Sequence, residues 1–287
     1  MAWTFERATG SSNFTEGPVW TGDALLFTAT HDSRIMRYTP GDGSSVEFAR
    51  DCAEANGLAL DRQGRLYVCE GGGQRVARYE ADGSRTTIAD RWEGKRLNSP
   101  NDIVVDDQGR VWFTDPRYGD RASMELDHDS IYRADPQPDG SWSLARVTFD
   151  TTRPNGLAFA PDFRTLYVAE SPPAPNGIRQ LRAYPVNADG TLGQYRVLHD
   201  FGAHRGIDGM RVDALGYIVA SCGWEEGGPG TRIGVFAPTG EVVAEHPTPA
   251  RPTNCCFGDD DLRTLYVTGF DGAVYRARTD RQGARRP

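Results

Sequence analysis

Short apolar runs of four to six residues, rich in Val, Ile, Trp, Tyr and Phe, recur along the whole chain between Gly, Asp and Pro. They alternate or cluster at period two, which predicts β-strands. Helical periodicity is nowhere sustained beyond about a turn. The nearest candidate, Ala49 to Leu60, is broken by Gly57. Six of the runs open on an oxygen-bearing side chain: Glu16-Gly-Pro-Val-Trp, Asn56-Gly-Leu-Ala-Leu, Asn101-Asp-Ile-Val-Val, Asn155-Gly-Leu-Ala-Phe, Asp208-Gly-Met-Arg-Val and Asn254-Cys-Cys-Phe. By difference of residue numbers the leaders stand 40, 45, 54, 53 and 46 positions apart. Tight polar turns such as Asp61-Arg-Gln-Gly64 and Asp107-Gln-Gly109 lead from several of these runs into a second apolar run. A repeat of this length built from short strands predicts an all-β, six-bladed β-propeller occupying residues 1–287 as one domain. The last repeat has one strand too few, and Trp3 to Ala8 is expected to supply the missing one and close the ring.

In such a ring the first strand of each blade lines the central channel, so the six leading residues converge on one mouth. Glu70, Asp115, Glu170 and Cys222, at the ends of the second strands, are expected around the same opening. Asn-Gly is also a favoured turn dipeptide, which accounts for Asn56 and Asn155 but poorly for Glu16. Carboxylates and amides gathered at a channel mouth are unfavourable without a cation. Hard oxygen donors of this kind suit Ca²⁺, Mg²⁺ or Mn²⁺.

Composition narrows the alternatives. The net charge is −8 and the basic residues form no cluster except Arg281 to Arg286, so nucleic acid is not an expected partner. No apolar run approaches the length of a membrane span and no secretory leader is visible, so no membrane association is expected. The five cysteines (Cys52, Cys69, Cys222, Cys255 and Cys256) form no C-x-x-C pair. A cytoplasmic monomer or small homo-oligomer, with a disordered tail from about 280, is the simplest expectation. Glu70-Gly-Gly-Gly73 lacks the Lys-Ser/Thr ending of a phosphate loop. The five histidines show no metal-ligand spacing; most are expected on the surface, with His204 hanging over the pocket beside Arg205.

The phrases Phe14-Thr-Glu-Gly-Pro-Val-Trp20, Leu97-Asn-Ser-Pro-Asn-Asp102, Phe113-Thr-Asp-Pro-Arg-Tyr-Gly119, Arg153-Pro-Asn-Gly-Leu-Ala-Phe159 and Gly206-Ile-Asp-Gly-Met210 resemble the senescence-marker-protein/gluconolactonase/regucalcin family, closest to its bacterial gluconolactonase-like members. The resemblance implies a six-bladed propeller that hydrolyses a sugar lactone with one divalent metal ion. Ca²⁺ is the first expectation, with Mn²⁺, Mg²⁺, Zn²⁺ or Fe²⁺ as alternatives. It implies Glu16, Asn101, Asn155 and Asp208 as metal ligands and Asp208 as general base. Asn98, Ser99, Tyr118, Arg153, His204, Arg205, Asn56 and Asn254 are the expected substrate-side residues. Animal members carry Arg where this chain has Ser99. Competing functions are a phosphotriesterase-like hydrolase on the same site, a metal-free condensing enzyme of the strictosidine-synthase type, and a non-enzymatic calcium-binding or interaction propeller.

Overall fold

The computed structural model describes residues 2–10, 12–173 and 176–284. Six four-stranded antiparallel sheets are formed, and the first strands of successive sheets touch one another in a closed cycle. These inner strands are Thr15–Trp20, Ala55–Leu60, Ile103–Val105, Pro154–Phe159, Ile207–Val212 and Pro252–Gly258, named below as blades one to six. Among the described residues the only helical element is a 3₁₀ turn at Thr30–Asp32, and no helix is long and apolar enough to cross a membrane. The predicted propeller is therefore what forms.

The alternating pattern explains where the core lies. Each strand presents one set of side chains to the preceding blade and the other to the next. The core is accordingly six hydrophobic clusters, each shared by two neighbouring blades. Trp112 packs between blades three and four, and Tyr67 between blades two and three, both without exposed surface. Aspartates start the hairpin turns because their carboxylates accept the amides of the turn they open. Asp61 accepts from the N–H groups of Gln63 and Arg65, each at 2.9 Å, and Asp213 does the same for Leu215 and Tyr217.

Glycine follows the leading residue where two inner strands approach too closely for a side chain. A Cβ on Gly57 would lie 2.6 Å from the Asn101 carbonyl oxygen, and one on Gly156 would lie 2.4 Å from that of Asp208. The Gly57 N–H in fact donates to the Asn101 carbonyl at 2.7 Å. The repeated phrase is thus a record of strand spacing as well as of chemistry.

Closure uses the N-terminus as expected, with a shorter strand than the sequence suggests. Glu6–Arg7 pairs with Val274–Arg278, while Trp3 is held by its side chain rather than by a ladder. Its indole stacks on His246 with ring centroids 3.8 Å apart, and its Nε1–H donates to Asp280 at 2.8 Å. Its backbone N–H donates to His246 Nδ1 at 3.1 Å, which requires that nitrogen to be unprotonated. His246 is therefore a buried clasp residue, not the surface residue expected. Part of the expected disordered tail is also held: Arg281 pairs with Asp213 at 2.7 Å and the Gly283 N–H donates to the Leu262 carbonyl. Residues 285–287 lie outside the described residues.

Burial holds the pKa of His246 below the usual histidine value, outweighing Asp280, while Arg281 and the N-terminus act in the same direction as burial. The unfolded chain then binds this proton more readily than the folded one. The clasp's contribution is present above the unfolded pKa of about 6.5 and is lost as pH falls below it. Melting temperature should fall between pH 7 and pH 5, and His246→Gln should flatten that dependence while lowering stability at pH 7. An unchanged pH dependence in His246→Gln would remove this assignment.

Candidate active site

Five of the six inner strands carry a β-bulge at the leading phrase, with register shifts at Glu16/Val19, Ala55/Leu58, Pro154/Leu157, Ile207/Met210 and Pro252/Cys255. A bulge breaks the strict in–out alternation and re-aims a side chain. Here it turns the leading residues toward the ring axis. Glu16, Asn56, Asn155 and Asp208, all on bulged strands, line one cavity of about 420 Å³ at the channel mouth together with Asn101, which precedes the unbulged strand Ile103–Val105. Asn254, the sixth, is buried beneath them: its Oδ1 accepts the Cys255 N–H at 2.9 Å, and a Cβ on Gly209 would overlap its amide.

The two carboxylates are nearly inaccessible, 4% exposed at Glu16 and 7% at Asp208. Burial raises the pKa of Glu16 well above the usual carboxylate range, and the neighbouring charge of Asp208 raises it further. Burial also raises Asp208, against the lowering effects of Arg205 and Asn155. Asp208 Oδ1 accepts from Asn155 Nδ2 at 2.7 Å, and its other oxygen pairs with Arg205. Asp102, one residue past Asn101 and 1% exposed, accepts the Ile103 N–H at 2.9 Å and faces Arg211 at 3.9 Å. Among the described residues no three His, Cys, Asp or Glu side chains converge as a metal cluster. The donor set is instead two carboxylates with flanking amides. Asn155 gives its amide nitrogen to Asp208, which leaves its amide oxygen as a donor. Two coupled, desolvated carboxylates beside neutral oxygens fit a hard divalent cation.

The expected outer residues divide. Tyr118 and Arg205 line the cavity. Arg153 stands one layer back, paired with Asp129 at 2.8 Å and stacked over Tyr118 at 5.2 Å. Asn98 and Ser99 are anchors: their N–H groups both donate to Asp115 at 2.8 Å, and Ser99 Oγ donates to the Gly71 carbonyl. His204 lies against Gly228 in the long hairpin of blade five. The second-strand ends also differ from expectation. None of Glu70, Asp115, Glu170 and Cys222 lines the cavity. Glu70 binds Arg75 and Tyr79, while Glu170 accepts from the N–H groups of Thr152 and Arg153, holding the loop that leads into the Asn155 strand. Burial raises Asp115 to about 7.

The wall residues missed in the sequence include Phe14, His31, Ser171, Arg179, Trp224 and Phe270. Ser171 and Phe270 sit one residue past the ends of their second strands, Thr165–Glu170 and Thr264–Gly269. The signal was present but displaced by one position, since the pleat turns the last strand residue inward and the next outward. Phe14 packs edge-on against Phe270, centroids 4.8 Å apart, and stacks with His31 at 5.0 Å.

Residues 14–270 match the family described as the SMP-30/gluconolactonase/LRE-like region. The chain belongs to this family. It is 31% identical to a gluconolactonase from Zymomonas mobilis over 93% of this chain and 78% of that one. It is 29% identical to regucalcin from Xenopus laevis over 88% and 82% respectively. The structure superposes on a gluconolactonase from Xanthomonas campestris with a TM-score of 0.84 and 33% identity, covering 96% of this chain and 89% of that one. The family identity and the propeller expected from the repeats therefore agree.

Proposed function

We propose that the protein is a hydrolase that opens sugar lactones, using one divalent cation, Ca²⁺ first among candidates, held by Glu16, Asn101, Asn155 and Asp208. The observation that carries this reading is the pair of buried carboxylates, Glu16 and Asp208, lining one cavity with the amides of Asn56, Asn101 and Asn155. The gluconolactonases and regucalcin among its relatives support it. When bound, the ion supplies Lewis-acid polarisation of the lactone carbonyl.

The chain's own residues supply the rest. Asp208 accepts the proton of a water that attacks the carbonyl carbon, and returns it to the ring oxygen as the C–O bond breaks. The product is the open-chain hydroxy acid, with one water added across the ester. Asn155 and Arg205 each hold one Asp208 oxygen, and both act against the rise in pKa that burial causes. Glu16, which has no arginine partner among the ion pairs of the described residues, offers the cation a full carboxylate charge, whereas Asp208 shares its charge with Arg205. Tyr118, Phe14 and Phe270 form a ring-lined wall against which the flat lactone can lie, with bulk water held away from the axis. Asn56 presents a further amide to the bound substrate.

Purified protein should contain or take up one divalent ion per chain. In a pH-indicator assay over a panel of aldonolactones, chelator should abolish hydrolysis, and Ca²⁺, Mn²⁺ and Mg²⁺ should restore it at different rates. Full activity after exhaustive chelation, with no ion found by elemental analysis, would overturn the reading.

A further inference from the structure

The cavity is electrically polarised. Its floor carries the acidic pair Glu16 and Asp208, while its lining on the side of blades four to six carries Arg179 and Arg205. Two more guanidinium groups back the aromatic wall. Arg251 stacks over Phe270 at 4.2 Å and pairs with Glu225 at 3.1 Å, and Arg153 stacks over Tyr118 and pairs with Asp129. In the lining itself Glu16 and Asp208 thus face Arg179 and Arg205, and their formal charges cancel; behind the wall Asp129 is shared by Arg153 and Arg121, and Glu225 pairs with Arg251. The deeper pair, Asp102 and Arg211, cancels as well. A dication on the floor then leaves the site with two excess positive charges, in a protein whose overall charge is −8. Excess charge in a half-enclosed cavity is costly until a counter-charge joins it. A neutral lactone brings none and its product brings one. A lactone that already carries an acidic group brings one and leaves with two, which matches the excess.

Position agrees with the count. Arg205 shares Asp208 with the proposed cation, so its guanidinium is partly released toward the cavity when the cation takes that charge. Arg179, 8% exposed, lines the same cavity as Ser171 and donates to the Pro173 carbonyl at 3.4 Å, a contact that an acidic group of the substrate would share or replace. Arginine offers only donors, in a planar fork suited to carboxylate, sulfonate or phosphate oxygens. We infer that the cavity prefers lactones bearing a second acidic group remote from the ring carbonyl, with Arg179 and Arg205 receiving that group. This rests on the lactonase reading above.

The test compares gluconate, a monoanion, with glucarate, a dianion of equal carbon count, by calorimetry on full-length protein with free Ca²⁺ held constant. Glucarate should bind about tenfold more tightly, and the advantage should shrink with added salt. Arg179→Gln should reduce the ratio to about twofold or less, and Arg179→Lys should keep part of it. In turnover, a glucarolactone should exceed gluconolactone in kcat/KM through a lower KM, and Arg179→Gln should remove that difference. Equal binding of the two acids by the wild type, or a preference that survives Arg179→Gln, overturns the proposal. Should the dianion preference hold while no lactone is hydrolysed, the charge assignment stands and the lactonase reading fails. Hydrolysis without the preference gives the reverse.

Discussion

Asp208→Asn is expected to lower lactone turnover by about 10²- to 10⁴-fold, the range ordinarily lost with a positioned general base. The substitution keeps the side chain's shape and an acceptor for Asn155, and removes the charge that pairs with Arg205. The acidic limb of the pH–rate profile should disappear with the activity. Glu16→Gln separates the two roles of a carboxylate here. Outer-sphere partners alone are worth about 10- to 100-fold in metal affinity, so losing a direct charged ligand should cost about 100-fold or more. Much of the turnover of Glu16→Gln should return at saturating ion, whereas that of Asp208→Asn should not. Asn56→Ala and Asn254→Ala should be milder than Asn101→Ala or Asn155→Ala. Full rescue of Asp208→Asn by excess ion would reduce Asp208 to a ligand, and equal losses at all six positions would dissolve the four-ligand set.

Removing residues 1–9 is expected to destabilise the protein severely. It strips the fourth strand from the last blade and deletes Trp3, which is 8% exposed and packed with Ile233, Val235 and Phe257. Loss of a buried tryptophan costs about 3–5 kcal/mol, which for a domain of this size lowers the melting temperature by about 10 °C or more. Removing residues 281–287 should cost less. It breaks the Arg281–Asp213 pair and one short bridge but no blade strand. Comparable melting temperatures for the two truncations would mean that Glu6–Arg7 and Trp3 do not carry closure.

The propeller was legible because its repeat is written in residues the backbone demands. Asn56-Gly57, Asn155-Gly156 and Asp208-Gly209 encode both a channel-facing oxygen and a strand contact that excludes a side chain. The floor of the site was legible for the same reason. Its wall was not, because it is built where strands have just ended and a one-residue displacement decides which side chain faces in. Glu170 reads as a mouth residue and is an anchor, while Ser171 beside it lines the cavity. His246 and Trp3 were separated by 243 positions, a pairing that no local pattern reports.

The contacts at Gly57 and Gly156 carry a consequence for how this scaffold can change. Main chain rests directly on main chain at these contacts, and at Gly17 against Asn56, so there the bore of the ring is at its minimum, while between blades five and six the Asn254 amide lies against Gly209. The donor oxygens inherit their separations from that bore. Selectivity for a cation held by these oxygens would then be set by the strand spacing more than by substitution in the walls. The rim obeys no such constraint: Tyr118, Trp224 and Phe270 hang from strand ends and loops that can be lengthened or exchanged. Substrate range should therefore be open to redesign by loop replacement alone, on a hub whose gauge stays the same.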